Sequence, residues 1–578
     1  MRQKKTLLSG RLSRCVISAT ILGMLDAALF MTDNLVSGRF LGEEALAGLT
    51  MMSPVTTFLV FINYIVPVGV TAAIAFAQGR GDAEKASRMY SQGLIVTLLL
   101  GVFFSVMMVV LNHSVIDHVQ VSDGVKGFAS RYCTGLYLMP ITMFITNYYY
   151  YIHLGEGLEN VCVASSFVKV AVNITLDIVL CGMWGTLGIG VATTVGYMSS
   201  IAVKMIPVIK GRLSLRFRPC FEGKAFARAV LDGLMLSADM VCPVLFSTIM
   251  NASILTAFGE SELVVFSIIL NIENFFVTLF FCLANSVQTI VCQYHAERNY
   301  FGIRRVMNYM RRCMLLIPGV FMILIVVFAG LIPGMFGITN AVIAGHAAAA
   351  LRLYTPFVIF LGFATLLSRY YVCIGYKVFG FLLILSSSTL LPALLQFVLG
   401  RSFGLNAMWL GLGMGYAAAL VILPAFLSAI RRRSGRSLSP VLLVDTEAEK
   451  RQLTYDIKST EKDVMDCVLD MDSRLKEVRG LPEKRRSRLV LLTEENCMII
   501  AAGRGDDPVR IELCVIGPAD PSDEYNLIIR SDGDLEDVTD SDILLTSFRE
   551  YVLSTLIPLT GDQSYISKNS ETTLSFRC

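Results

Sequence analysis

Over its first 430 residues the chain repeats one pattern, an apolar stretch long enough to cross a hydrocarbon layer followed by a short polar loop. A helix spans such a layer with about 20 apolar residues, and about twelve stretches qualify. They lie at 15–37, 50–77, 89–111, 128–152, 160–181, 187–209, 229–258, 262–292, 308–336, 345–373, 377–399 and 404–430. A wholly soluble enzyme is excluded: 54% of the 578 residues are hydrophobic and 16% charged, where average proteins run near roughly 25% charged. A net charge of +3 offers no basic field to hold a polyphosphate, which excludes a nucleic-acid binder.

Charge divides the chain in two. Residues 1–440 carry 32 Lys and Arg against 18 Asp and Glu, whereas residues 441–578 carry 17 against 28. The cations gather in alternate loops: the amino tail, the loop around Gly79 to Arg88, the segment Lys204 to Arg228, the cluster Arg298 to Arg312, and Arg431 to Arg436. Positive loops resist translocation, so both termini are expected in the cytoplasm and the protein in the cell membrane. Of the fourteen cysteines, ten lie in the apolar part and none forms a C-x-x-C pair, so they read as reduced packing residues. The five histidines show no metal-ligand spacing, and no metal or cofactor is expected.

The expected fold is therefore an α-helical polytopic membrane protein, twelve spans in two pseudo-symmetric six-helix bundles, with a C-terminal cytoplasmic two-layer α/β domain. Its expected parts are a cytoplasmic tail (1–14), an N-terminal lobe (15–209), a basic linker (210–228), a C-terminal lobe (229–430), a second basic linker (431–450) and the tail domain (451–578). The lobes repeat in part: Arg80 with Arg298, and Met89 with Met307, stand at one common offset. Two such bundles suit a transporter whose site lies between rocking repeats.

The stretch Thr32-Asp33-Asn34-Leu35-Val36-Ser37-Gly38-Arg39-Phe40-Leu41-Gly42, followed by Glu44 to Gly48, resembles the first-span motif of multidrug and toxic compound extrusion (MATE) transporters. Asn173-Ile174-Thr175-Leu176-Asp177 and Leu187-Gly188-Ile189-Gly190-Val191-Ala192-Thr193 are similar to that family's fifth and sixth spans. The resemblance covers about residues 10 to 432. It implies export of organic, often cationic compounds by alternating access, driven by entry of protons or sodium.

The residues themselves point to carboxylates. An ionised acid at the bilayer centre costs about 2.5–3.5 kcal/mol or more, so such groups face a wet cavity. Asp33 and Asp177 each precede the outer end of their span by four residues, which places two acids at one depth. Asn173 is expected one turn below Asp177, bonding the acid or its water, and Thr193 adds a hydroxyl. Together with the resemblance, this makes Asp33, Asp177, Asn173 and Thr193 the candidate cation-coupling group. Asp26, about 20° round the same helix face and near 10 Å deeper, is a second station or a packing residue. In the second lobe Asp239, Glu273, Asn251, Asn271 and Asn274 either attract a cationic substrate or join helices as polar glue. Where the sodium-coupled branch carries a glutamate in span seven, this chain has Val244, so a proton is favoured over sodium. The run Tyr148 to Tyr151 reads as headgroup anchoring more than as a box for stacking substrate.

The order of strands and helices after Gln452 resembles the ATP-binding domain of anti-sigma-factor serine kinases and histidine kinases, with a helix around Ile543 to Leu556 expected near its end. Two departures imply a degenerate nucleotide site. Glu495 is followed four residues later by Ile499, not asparagine, and Ser531-Asp532-Gly533 has serine in place of the aspartate that fixes adenine. The expected protein is thus a cation-coupled exporter with a regulatory or partner-recruiting tail, a monomer, and not an enzyme. Two rivals remain: a membrane sensor signalling through a serine-kinase-like tail, and a lipid-linked sugar flippase of the same superfamily.

Overall fold

The computed structural model describes residues 7–41, 43–114, 123–219, 222–237, 242, 245–247, 249–250, 253–254, 260–335, 340–478, 481–502, 509–518, 524–532, 563–568 and 571–577. Its first half contains α1 (Leu7–Leu41), α2 (Glu43–Gly79), α3 (Ala83–Ser114), α4 (Asp123–Gly135), α5 (Met139–Gly155), α6 (Glu159–Trp184) and α7 (Thr186–Ile209). The second contains α8 (Gly223–Leu236), α9 (Glu260–Ala296), α10 (Tyr300–Val327), α11 (Ala341–Tyr354), α12 (Val358–Cys373), α13 (Lys377–Leu385), α14 (Leu391–Phe403) and α15 (Leu405–Ser434).

Among the described residues, ten helical stretches are long and apolar enough to cross a membrane. Two expected spans are not among them. The stretch 128–152 is broken at residues 136–138, because Pro140 lacks the N–H that would continue α4 and instead sits in the first turn of α5. The stretch 229–258 lies only partly within the described residues. The tyrosine run is not an interfacial anchor: Tyr148, Tyr149 and Tyr151 are buried, and Tyr148 donates to the carbonyl of Tyr90.

Among the described residues the halves join at the end that carries the N-terminus. Leu8, Leu12, Cys15 and Val16 of α1 share one apolar core with Val287 and Ile290 of α9 and Ile303 and Met307 of α10. Backbones meet where α2 crosses α8, since a Cβ on Gly69 would stand 1.9 Å from the carbonyl oxygen of Ala229. Gln288 donates to the carbonyl of Val68 at 3.1 Å, and Asn285 to the hydroxyl of Tyr151 at 2.9 Å. Toward the other end, Val36, Leu49, Met52, Phe104, Tyr132 and Ile189 belong to a core drawn wholly from the first half.

The tail contains β1 (Gln452–Lys458), α16 (Glu461–Lys476), α17 (Glu483–Ala502), β2 (Arg510–Ile516), β3 (Asn526–Ser531), β4 (Gln563–Lys568) and β5 (Glu571–Arg577). The strands form one antiparallel sheet in the order β1-β2-β3-β5-β4. Alternation along a strand sends Ile511, Leu513, Val515, Leu527 and Ile529 to the face covered by both helices. Cys514, Ile516 and Ile528 line the opposite face and are buried too. The helix expected at Ile543 to Leu556 lies outside the described residues.

Candidate functional site

Small residues in α7 bring the site together. A Cβ on Gly188 would stand 2.2 Å from the carbonyl oxygen of Leu180 of α6, and one on Gly190 2.5 Å from that of Tyr132 of α4. On Gly196 it would meet the Asn173 Cβ at 3.2 Å. Gly185, at φ 61°, makes the turn that folds α7 back along α6. Three helices therefore pack closely enough for short polar side chains to touch.

The contact point is Asp33 of α1. Thr193 of α7 donates to its Oδ2 at 3.0 Å and Tyr132 of α4 at 3.2 Å. Asn173 of α6 donates to the Thr193 hydroxyl at 3.4 Å and lies within reach of the Asp33 carboxyl. This differs from the sequence expectation, in which Asn173 serves Asp177: residues four apart on one helix both point inward here, and the amide turns across to α7 and α1. The carboxyl of Asp177 adjoins that of Asp33, and Asp177 is fully buried. Neither Asp177 oxygen, nor Asp33 Oδ1, has a hydrogen-bond donor among the described residues. A proton placed between two such carboxyls would let one donate to the other. Lys169, two turns before Asp177, holds its ammonium 5.2 Å from the centre of the Tyr197 ring.

Tyr132 escaped the sequence reading. Nothing in its spacing marks it, and only the close approach permitted by Gly190 supplies the contact. The side chain of Asp26 lies outside the described residues, as do Asp239, Val244 and Asn251.

In the second half Glu273 of α9 is buried and accepts from Tyr416 of α15 at 2.8 Å, with the Tyr354 ring beside Tyr416. Asn274 is not its partner. Consecutive residues point about 100° apart on a helix, so Asn274 joins Ser267 and Asn271 in an exposed polar stripe while Glu273 turns inward.

In the tail, Glu495 and Ile499 share one face of α17 and are half-buried. Ser531 closes β3 and is buried, Asp532 accepts from the backbone N–H of Arg510 at 2.9 Å, and Gly533 lies outside the described residues. No group of three or more His, Cys, Asp or Glu side chains is arranged to hold a metal among the described residues.

A bundle of membrane-length helices, joined between its halves at one end and holding contiguous acids from separate helices, belongs to the class of membrane transporters. The chain is a member of the MatE family, whose model matches residues 20–179 and 236–398. It is similar to the probable multidrug resistance protein YoeA of Bacillus subtilis, 22% identical over 314 residues that make up 52% of this chain and 67% of that protein. It is also similar to stage V sporulation protein B of Bacillus subtilis, 34% identical over 104 residues. That alignment spans 18% of this chain and only 19% of the sporulation protein. The fold matches a MATE structure in complex with MaL6, at a TM-score of 0.68, 20% identity and coverage of 74% of this chain and 97% of that one. An outward-facing multidrug resistance MATE transporter matches with the same TM-score and identity, 74% of this chain against 96% of that one. MATE proteins are transporters, not enzymes.

Proposed function

We propose that the protein is a proton-coupled antiporter that exports organic, cationic or amphipathic compounds across the cell membrane as a monomer. Its spans number twelve in this reading, and both termini face the cytoplasm. The observation that carries the proposal is the contact between Asp33 and Asp177, with Thr193 and Tyr132 bonded to one acid and no donor on the other among the described residues.

A proton entering from the outer side binds between the two carboxyls, converting an acceptor–acceptor contact into a hydrogen bond. Loss of that negative charge weakens the hold on a cationic compound, which leaves outward. After the halves rock, the proton departs inward and the restored charge attracts the next compound. The polar stripe Ser267, Asn271 and Asn274 forms part of the cleft wall, since a lipid-facing strip would be apolar. Glu273, held by Tyr416, supplies a second negative group for substrate.

The tail regulates transport or recruits a cytoplasmic protein. An apolar Ile499 offers no oxygen to Mg²⁺ and Ser531 lacks a charge for adenine, so nucleotide binding is lost or weak. The test is substrate-driven proton movement in vesicles holding the purified protein. Sodium-dependent export would replace the proton with sodium, movement of a lipid-linked sugar would assign a flippase, and neither flux nor substrate binding would refute transport.

A further inference from the structure

A buried ionic cluster joins the tail to the bundle. Just beyond α9, Glu297 pairs with Arg530 of β3, whose other guanidinium arm reaches Glu512 of β2 at 3.2 Å. The Tyr294 hydroxyl donates to Glu512 at 3.2 Å, and its ring stands 4.6 Å from the guanidinium carbon. Arg530 is 0% exposed, Glu512 1% and Glu297 6%, so one guanidinium is held out of water between two carboxylates. Around this centre Arg304 pairs with Glu449 at 2.6 Å and Arg305 with Asp456 at 2.7 Å. The linker is pinned as well, since Tyr370 and Tyr371 donate to the carbonyls of Leu442 and Val441.

The same sheet touches the other half. A Cβ on Gly10 of α1 would stand 3.9 Å from a guanidinium nitrogen of Arg510 of β2. The tail thus lies across the seam between α1 and the α9–α10 turn, at the end where the halves are closed. Alternating access requires that seam to part. A rigid sheet in contact with both sides cannot keep both contacts when it does. A buried ionic cluster suits such a release point, because its two carboxylates are held together only while the guanidinium lies between them.

We propose that the tail is a latch on the transport cycle: docked through Glu297, Arg530 and Glu512, it holds this end of the seam closed, and its release permits the end to open. The idea rests on the alternating-access reading above, but its readout does not require measured transport.

The experiment uses the full chain in lipid nanodiscs. Spin-labelled unnatural residues at exposed Lys85 and Ser434 report the width of the seam, and a pair at Lys85 and Lys458 reports docking. Glu297→Lys leaves the tail's own Arg530–Glu512 pair intact and sets a cation against it. The expected result is release of the tail and a population with the seam widened that rises about tenfold, an ordinary size for coupled elements. Combining Glu297→Lys with Arg530→Glu and Glu512→Lys inverts every charge of the cluster, restores opposite charges across both pairs and should return both distances. If Glu297→Lys fails to fold, Arg304→Glu with Arg305→Glu on the accessible rim tests the same release. The latch is overturned if the tail stays docked, if it leaves without widening the seam, or if the charge exchange does not reverse the change. Failure of the exporter reading would appear separately, as a vesicle assay without coupled flux.

Discussion

Thr193 and Asp33, separated by 160 positions in the chain, meet in a hydrogen bond of 3.0 Å between α7 and α1. A hydrogen bond to a charged group contributes about 1.5–3 kcal/mol, and each 1.36 kcal/mol is roughly tenfold in rate. Thr193→Val, which keeps the shape and removes the donor, should therefore slow coupled transport about tenfold or more, while Thr193→Ser retains most of it. Initial export rates in vesicles measure the difference.

Asp177 gives a prediction in which function and stability part. Its oxygens have no donor among the described residues, and its neighbour is an acid. Asp177→Asn supplies an N–H that can donate to Asp33, a gain of about 1 kcal/mol for one added hydrogen bond. The variant should lose proton-coupled export yet melt at a higher temperature than the parent, as followed by thermal denaturation in detergent.

The crossing of α2 and α8 leaves no room for a side chain. A Cβ on Gly233 would stand 1.9 Å from the carbonyl oxygen of Ile65, backbone that cannot move aside as a flexible side chain would. Overpacking costs about 1–3 kcal/mol, so Gly233→Ala should lower the melting temperature measurably, and Gly233→Val should abolish recovery of monodisperse protein on size-exclusion chromatography.

Two thiols of the tail should be inert while it is folded. Burial pushes Cys467 and Cys514 each up to about 12. A raised thiol value leaves almost no thiolate at neutral pH, and thiolate is the species that reacts. Maleimide at pH 7 should leave peptides containing either residue unmodified, and modify both after denaturation, as read by mass spectrometry.

Much of the bundle could be read from the sequence because membrane spans must be long and apolar, and an acid inside one stands out by its cost. Asp33 and Asp177 were legible for that reason. Their partners were less so. Asn173 shares a helix face with Asp177, yet its amide is used across the gap by Thr193, a choice that depends on three helices closing over glycines. Tyr132 and Tyr416 are two tyrosines among 21, and nothing local separates them from the rest. The break at 136–138 was obscured by continuous hydropathy, with Pro140 its one sign. Nothing local in the sequence singles out Glu297, because its partner Arg530 is 233 positions away.

The most direct test of the carboxyl pair is substrate-driven proton flux in vesicles containing the wild-type chain, Asp33→Asn, Asp177→Asn or the double variant. The wild type should move protons opposite to the exported compound, and each single variant and the double should fall to the rate of empty vesicles, with the double variant also binding a cationic compound more weakly. Flux that persists in the double variant at the wild-type rate would contradict the account.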